Sequence, residues 1–372
     1  MKAFIQTTAR ATSLAVFLAI ALTACGGGGS SASTSQTEAT PLVVATPAAL
    51  VVGNPGSSYP VPAAGQAVDT SAPSQVVGSG TPASCTGAAV VAAVAQGGII
   101  TFNCGPAPVT ITLNSTAKVF NDKPDVTLDG GGKVTLSGGG TTRILYQNTC
   151  DAAQVWTTDH CDNQPSPSLT VQNLTFSNGN STGQTTDGGG GGAIFVRGGH
   201  FKIVNTSFIH NQCEASGPDL GGGAVRVLGI YNNEPVYVVG STFGGAAELG
   251  NFCANGGALS SIGVSYSVYN SVFSYNRAIG SGPSGGGSGG AIYNDGNRYA
   301  LQLFGTTMHD NSAVAGGGAV FYVSNDLTGT LTIADSVFQR NPNAGFFTEG
   351  YPGFFVLAAP GQPLVTGSSL AP

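Results

Sequence analysis

The chain has 372 residues, 58 of them glycine and 8% charged, with a formal net charge of −6 and a hydrophobic fraction of 41%. The glycines lack a three-residue period, which excludes collagen, and no cluster of Lys and Arg is present to neutralise phosphates, which excludes nucleic acid as a partner. An all-β protein rich in turns remains.

Lys2 and Arg10 precede an apolar stretch, Ala11 to Ala24, that is too short to span a bilayer comfortably and has the layout of a signal peptide. It ends in Leu22-Thr23-Ala24-Cys25, which resembles the lipobox of bacterial lipoproteins. The resemblance implies a mature chain starting at Cys25 with lipid on that residue. Because Gly26 rather than Asp follows, it also implies the cell outer membrane as the anchoring site. Without Lys2 and Arg10 the chain keeps 10 basic and 18 acidic residues, a net charge of −8. From Gly26 to about Ser84 only Glu38 and Asp69 are charged, and the composition is Gly, Ser, Thr, Ala, Pro and Val. Such a segment is expected to be a disordered tether, with a root-mean-square span of roughly 40 Å for some sixty residues.

With Cys25 set aside for lipid, six cysteines remain, an even number in an exported chain. Nearest-neighbour pairing is expected among the 15 connectivities that six allow: Cys85 with Cys104, Cys150 with Cys161, and Cys213 with Cys253. No C-x-x-C and no paired histidine occurs, so no metal site is expected.

Ala88-Ala89-Val90-Val91-Ala92-Ala93-Val94 is a run dominated by alanine and halted by Gly97-Gly98, and it predicts a short helix. Strand patterns follow at Ile99-Ile100-Thr101-Phe102 and Val109-Thr110-Ile111-Thr112-Leu113. A helix ahead of the first strand would cover the open end of a stacked sheet, so it is expected to be a cap. Val126 to Gly132 and Val134 to Gly138 are further strand-and-glycine units. Asn148 to Ser168 is an insertion holding the single tryptophan, Trp156.

From Leu169 to Asn341 one phrase returns six times, anchored on Phe176, Phe208, Phe243, Phe273, Met308 and Phe338. Residues seven and five before each anchor are apolar and alternate with polar or mixed ones, which is the period of a strand. Three before stand Asn173, Asn205, Gly240, Asn270, Gly305 and Asp335, residue types that tolerate a left-handed backbone, so a turn is expected there. Two before, the column is small and mostly hydroxylic. Three after stand Asn211, Asn276, Asn311 and Asn341, which predict an internal amide ladder interrupted at Gly179 and Ala246. Gly-Gly-Ala punctuates the blocks at Ala193, Ala224, Ala258, Ala291 and Ala319.

Blocks of about 30 residues that stack their apolar faces define a right-handed parallel β-helix, a solenoid with a short N-terminal cap helix. The expected organisation is a signal peptide over 1–24, a tether over 25–84, the β-helix over 85–345 and a C-terminal tail over 346–372. Phe208-Ile209-His210-Asn211, Phe273-Ser274-Tyr275-Asn276 and Phe338-Gln339-Arg340-Asn341, alternating with Gly-Gly-Ala, resemble the repeats of the polymorphic outer-membrane proteins. The cap helix with Gly97 to Phe102 and Leu128-Asp129-Gly130-Gly131 is similar to the front end of the pectate-lyase-like β-helix superfamily. The first resemblance implies a surface adhesin. The second implies a polysaccharide lyase or hydrolase, with calcium as a cofactor only in the lyase case.

Such enzymes need two or three carboxylates converging on one face, and the acids of the repeats scatter over loops and turns, so no catalytic residue is assigned. Arg197 and Lys202, either side of Gly198-Gly199-His200, are placed to flank a groove or to sit on a solvated face. Two residues after each Gly-Gly-Ala come Phe195, Arg226, Ser260, Tyr293 and Phe321, which point outward if their predecessors point in. Phe195, Arg226, Tyr293 and Phe321 are therefore the candidate binding residues, as an exposed ridge for a sugar or protein partner, unless the apolar tail from Phe346 packs over them. The expectation is an envelope-anchored adhesin or glycan- or protein-binding module. The alternatives are a polysaccharide lyase or glycoside hydrolase with a divergent site, and a structural envelope protein.

Overall fold

The computed structural model describes residues 51–184, 189–282 and 285–372. The signal segment, Cys25 and the tether up to residue 50 lie outside the described residues.

Alternation within each block buries the residues seven and five before the anchor: Phe201, Ile203, Val236, Val238, Leu301 and Leu303 belong to one continuous core. Among the described residues every pairing between strands is parallel. Val225–Leu228, for example, lies between Ile194–Arg197 and Leu259–Ile262. An 8-stranded sheet, a 3-stranded sheet and a 17-stranded sheet form the faces of a parallel β-solenoid of about eight coils. At about 4.8 Å per coil the rod is roughly 40 Å long.

The columns take the places expected of them. Asn173, Asn205, Gly240, Asn270, Gly305 and Asp335 all have φ between 46° and 57°, and the largest sheet bends along this line. In the hydroxyl column Thr206, Ser241, Ser271 and Ser336 each donate to the carbonyl two residues earlier at 2.8 Å. Phe208, Phe243 and Phe273 stack with ring centroids 4.6 Å apart. The amide ladder has five rungs and no gap between Asn211 and Asn341, because Asn251 takes the place that Ala246 leaves. Asn211, Asn251, Asn276 and Asn311 each donate from Nδ2 to the Oδ1 of the next at 2.9 Å. The loop after Phe243 delays the rung by five residues, which fixed spacing from the anchor could not reveal.

In each Gly-Gly-Ala the first glycine has positive φ, as at Gly222 and Gly256, and a Cβ on the second would collide with the backbone of the next coil. The cap helix, α1 (Gly87–Gln96), starts at Thr86, whose hydroxyl accepts from the Ala89 N–H, and ends at Gly97 with φ 76°. It buries Val90, Ala93 and Val94. All three disulfides join the expected partners.

Two boundaries differ from expectation. Residues 346–372 are no tail: Phe354–Leu357, Leu364–Thr366 and Ser369–Leu370 pair in register with the preceding coil and so form another one. Residues 51–84 are no tether either. Gln75–Val77 is a strand paired with Gly98–Phe102, and residues 53–74 lie along the outside of the solenoid. A polar, glycine-rich segment need not build a core of its own when a finished sheet offers it one.

Candidate functional site

The expected ridge exists as a register column, since Tyr146, Phe195, Arg226, Ser260, Tyr293, Phe321 and Phe355 succeed one another across the 8-stranded sheet. It is not exposed. Phe195 is 0%, Arg226 3% and Tyr293 4% accessible, and Phe321 is half-buried. Loops lie over the column and are held there by arginines. Arg143 donates to the carbonyls of Gly190 and Gly191 while lying 5.1 Å from the Phe195 ring centroid. Arg226 donates to the Asp219 carbonyl, and burial lowers its pKa to about 10. At the far end Phe346 and Phe355 of the last coil pack on Phe321. The column is a second, outer core, and the four candidate residues are withdrawn as a surface site.

A different face is open. Outward residues Thr127, Thr170, Lys202 and Tyr237 stand in register on four successive coils of the largest sheet and floor a groove of about 850 Å³. Pro165, Ser166 and Pro235, from loops at the strand starts, make one wall; Ala64, Val68 and Ser74, from the N-terminal segment, contribute the other.

That N-terminal wall is a strap. Asn54 donates to the Gly305 carbonyl, the Tyr59 N–H to Asn270 Oδ1, the Val68 N–H to Gln172 Oε1, Thr70 to Asp129 Oδ2, and the Ser74 N–H to the Ile99 carbonyl. The strap thus runs from late coils to the first. Its apolar residues cover a column that faces away from the core: Tyr59 and Val61 pack on Val204, Val239, Tyr269 and Phe304, with Tyr59 stacked on Phe304 at 4.8 Å. This outward column, four before each anchor, was the sequence signal for a strap, because an apolar strip facing out of a solenoid requires cover. The strap also explains a choice within the turn column. At Gly305 a Cβ would strike Ser57 of the strap, and on the strap itself a Cβ at Gly53 would strike the backbone of Gly240, so glycine stands at both close approaches.

The floor carries charge. Lys202 is half-buried, makes no ion pair with a carboxylate among the described residues, and donates from Nζ to the Gln66 carbonyl at 2.7 Å. Burial lowers its pKa below the ordinary lysine value. His200 lies 3.4 Å from the Glu234 carboxylate and edge-on to Tyr231, and Asp125 lines the same groove. Arg197, the other candidate flank, instead pairs with Asp162 at 2.7 Å. Sequence spacing missed the His200–Glu234 pair because a full coil separates the partners along the chain.

Asp129 sits beside this groove as a structural carboxylate. Burial alone would raise its pKa, but hydrogen bonds from Gln172, Asn173, the Gly131 N–H and Thr70 prevail and hold it below the ordinary value. On another edge His309 and Arg340 both bind Asp310. Among the described residues, one group of three could offer metal ligands: Cys150, Cys161 and Asp162. Its sulfurs are joined in a disulfide and its carboxylate is paired with Arg197, so this donor set does not fit calcium.

Comparison with family models, with curated proteins and with solved structures gives no match for this chain.

Proposed function

We propose that this chain is a glycan-binding solenoid that holds an acidic polysaccharide across its coils, in the groove between the strap and the loops at the strand starts. The observation that carries the reading is Lys202, an ammonium without a carboxylate partner among the described residues, on the floor of an open groove between hydroxyl and tyrosine positions. A repeating polymer suits a surface that repeats at each coil. A carboxylate of an acidic sugar would complete the ammonium's hydrogen bonding, and the half-buried Tyr237 adds a hydroxyl on the adjoining coil. The resemblance to pectate-lyase-like solenoids supports a polysaccharide as the ligand, and the resemblance to polymorphic outer-membrane protein repeats supports an adhesin. The Leu22 to Cys25 pattern supports a lipid anchor on Cys25 in the outer membrane, with the solenoid acting there as an adhesin. Sensitivity of processing to globomycin, abolished in Cys25→Ser, tests the anchor.

A second reading, a polysaccharide lyase or hydrolase, draws on the His200–Glu234 pair and on Asp125 and Lys202 lining the same groove. These groups can accept and donate protons without a metal. Incubation with acidic polysaccharides and analysis for shortened products separates the readings: turnover lost in His200→Ala favours the enzyme, and binding without turnover favours the module.

A further inference from the structure

On the 3-stranded sheet, built from Phe252–Cys253, Arg277–Ala278 and Ser312–Ala313, the residues Phe252, Arg277 and Ser312 stand in register on successive coils. They line a second groove, of about 410 Å³, that shares no residue with the first. The loop after Phe243 makes one wall, through Ala247, Glu248 and Gly250. That loop is firmly held. His210 donates from its ring to the Glu248 carbonyl and from its N–H to the Leu249 carbonyl, and the Gly245 N–H donates to Ser274 Oγ at 2.9 Å.

Tyr275, which also lines the groove, has φ 60° on a line of turns where other coils carry Asn178 and Gly245. A bulky aromatic residue bears a backbone strain there that asparagine or glycine would avoid, which points to a use for its side chain. Charge sharpens the case. Of the two carboxylates lining the groove, that of Asp310 is neutralised, because Arg340 and His309 together bind both of its oxygens. The Glu248 carboxylate and the Arg277 guanidinium, both exposed, make no ion pair with each other or with any other described residue. The Arg277 guanidinium lies 5.5 Å from the Phe252 ring centroid, which holds it against the floor, while Glu248 stands on the wall that His210 fixes. One groove thus keeps a positive and a negative group apart.

We propose that this second groove binds a small zwitterion, an α-amino acid or a short peptide, with its carboxylate on Arg277 and its ammonium on Glu248. A plain anion would meet the charge of Glu248, and a plain cation that of Arg277; a ligand carrying both signs complements both. The planar guanidinium can donate two parallel N–H bonds to a carboxylate, and the half-buried Ser312 adds a hydroxyl on the next coil. Size agrees. A groove of about 410 Å³ stands near the lower end of the small-molecule range of about 300–1,000 Å³, which suits one or two residues rather than a polymer. The site does not depend on the glycan reading of the first groove.

The experiment is calorimetric titration of the full chain with L-alanine and L-alanyl-L-alanine, which carry both charges, with N-acetyl-L-alanine, which keeps only the carboxylate, and with L-alaninamide, which keeps only the ammonium. Expected is saturable binding of a zwitterion, the tighter of the two identifying an amino acid or a peptide as the ligand, with both single-charge probes at least about tenfold weaker. Arg277→Gln should weaken the zwitterion at least about tenfold. Glu248→Gln should weaken it too, and should narrow the gap to N-acetyl-L-alanine, because the repelling charge is gone. Both substituted side chains are exposed, and circular dichroism confirms that each variant folds. N-acetyl-L-alanine binding as tightly as the zwitterions, unchanged affinity in either variant, or no binding by either zwitterion overturns the site.

Discussion

The Lys202 ammonium donates to the Gln66 carbonyl at 2.7 Å, joining the floor of the groove to the strap that walls it, across 136 residues of sequence. One charged hydrogen bond therefore ties the proposed ligand contact to the chain that leads back toward Cys25. Replacing Lys202 with Met keeps the apolar stem and removes the donor. Such a half-exposed bond contributes on the order of 1 kcal/mol. The expected outcome is faster hydrogen exchange at the Val68 amide, which the strap bonds to Gln172, with little change at the ladder amide of Asn276.

Gly305 and Gly140 both have positive φ, 57° and 76°, but only Gly305 lies under the strap, with Ser57 where a Cβ would go. Both Ala variants bear the left-handed backbone cost of about 1–2 kcal/mol. Gly305→Ala is expected to lose at least ~1 kcal/mol more, because Ser57 must shift. A double-mutant cycle with Ser57→Gly checks this by chemical denaturation: the excess should shrink in the double variant, leaving the part due to Asn270 Oδ1, which also lies where the Cβ would go.

The amide ladder is buried, and each rung is bonded on both sides. Asn276 donates to Asn311 and to the Phe243 carbonyl while accepting from the side chain and N–H of Asn251. Asn276→Ala leaves several of these groups unpaired and is expected to cost about 3 kcal/mol. Asn341→Ala, at the end of the ladder, should cost less. Thermal midpoints of the two variants rank them.

Asp310 accepts from Arg340 and His309, and the Arg340 hydrogen bonds, acting against a small effect of burial and aided by His309, draw its pKa down to about 2. The folded value is depressed, so the contribution is present above the unfolded value of about 3.9 and is lost as pH falls through 2. Its partner Arg340 is half-exposed, and solvent screening of the pair limits the effect to at most about 1 kcal/mol. The stability gap between wild type and Asp310→Asn should accordingly shrink between pH 5 and pH 2.

The solenoid was legible because its determinants are local and repeat. Left-handed turns select Asn, Gly or Asp, strands alternate, and cysteine neighbours in sequence are neighbours in space. What escaped the sequence depends on relations between distant segments. Val204, Val239, Tyr269 and Phe304 announced an uncovered strip, but nothing in their spacing said that residues 53–74 would cover it. The second line of left-handed residues, His210, Tyr275, Asp310 and Arg340, was invisible because neighbouring coils impose that backbone on types that do not favour it. Phe195 and Tyr293 were correctly placed on the outward side of their strands. Outward did not mean exposed, because loops held by Arg143 and Arg226 close over them. The groove escaped because its floor, its strap wall and its loop wall come from three separate regions of the chain.

The most direct test of the glycan-binding account is calorimetric titration of the full chain with an acidic oligo-uronide, at low and high salt, in wild type and Lys202→Met. The account predicts saturable binding that weakens with salt and falls at least about tenfold, ~1.4 kcal/mol, when the ammonium is removed. Binding of equal strength in Lys202→Met, or no binding by wild type, would contradict it.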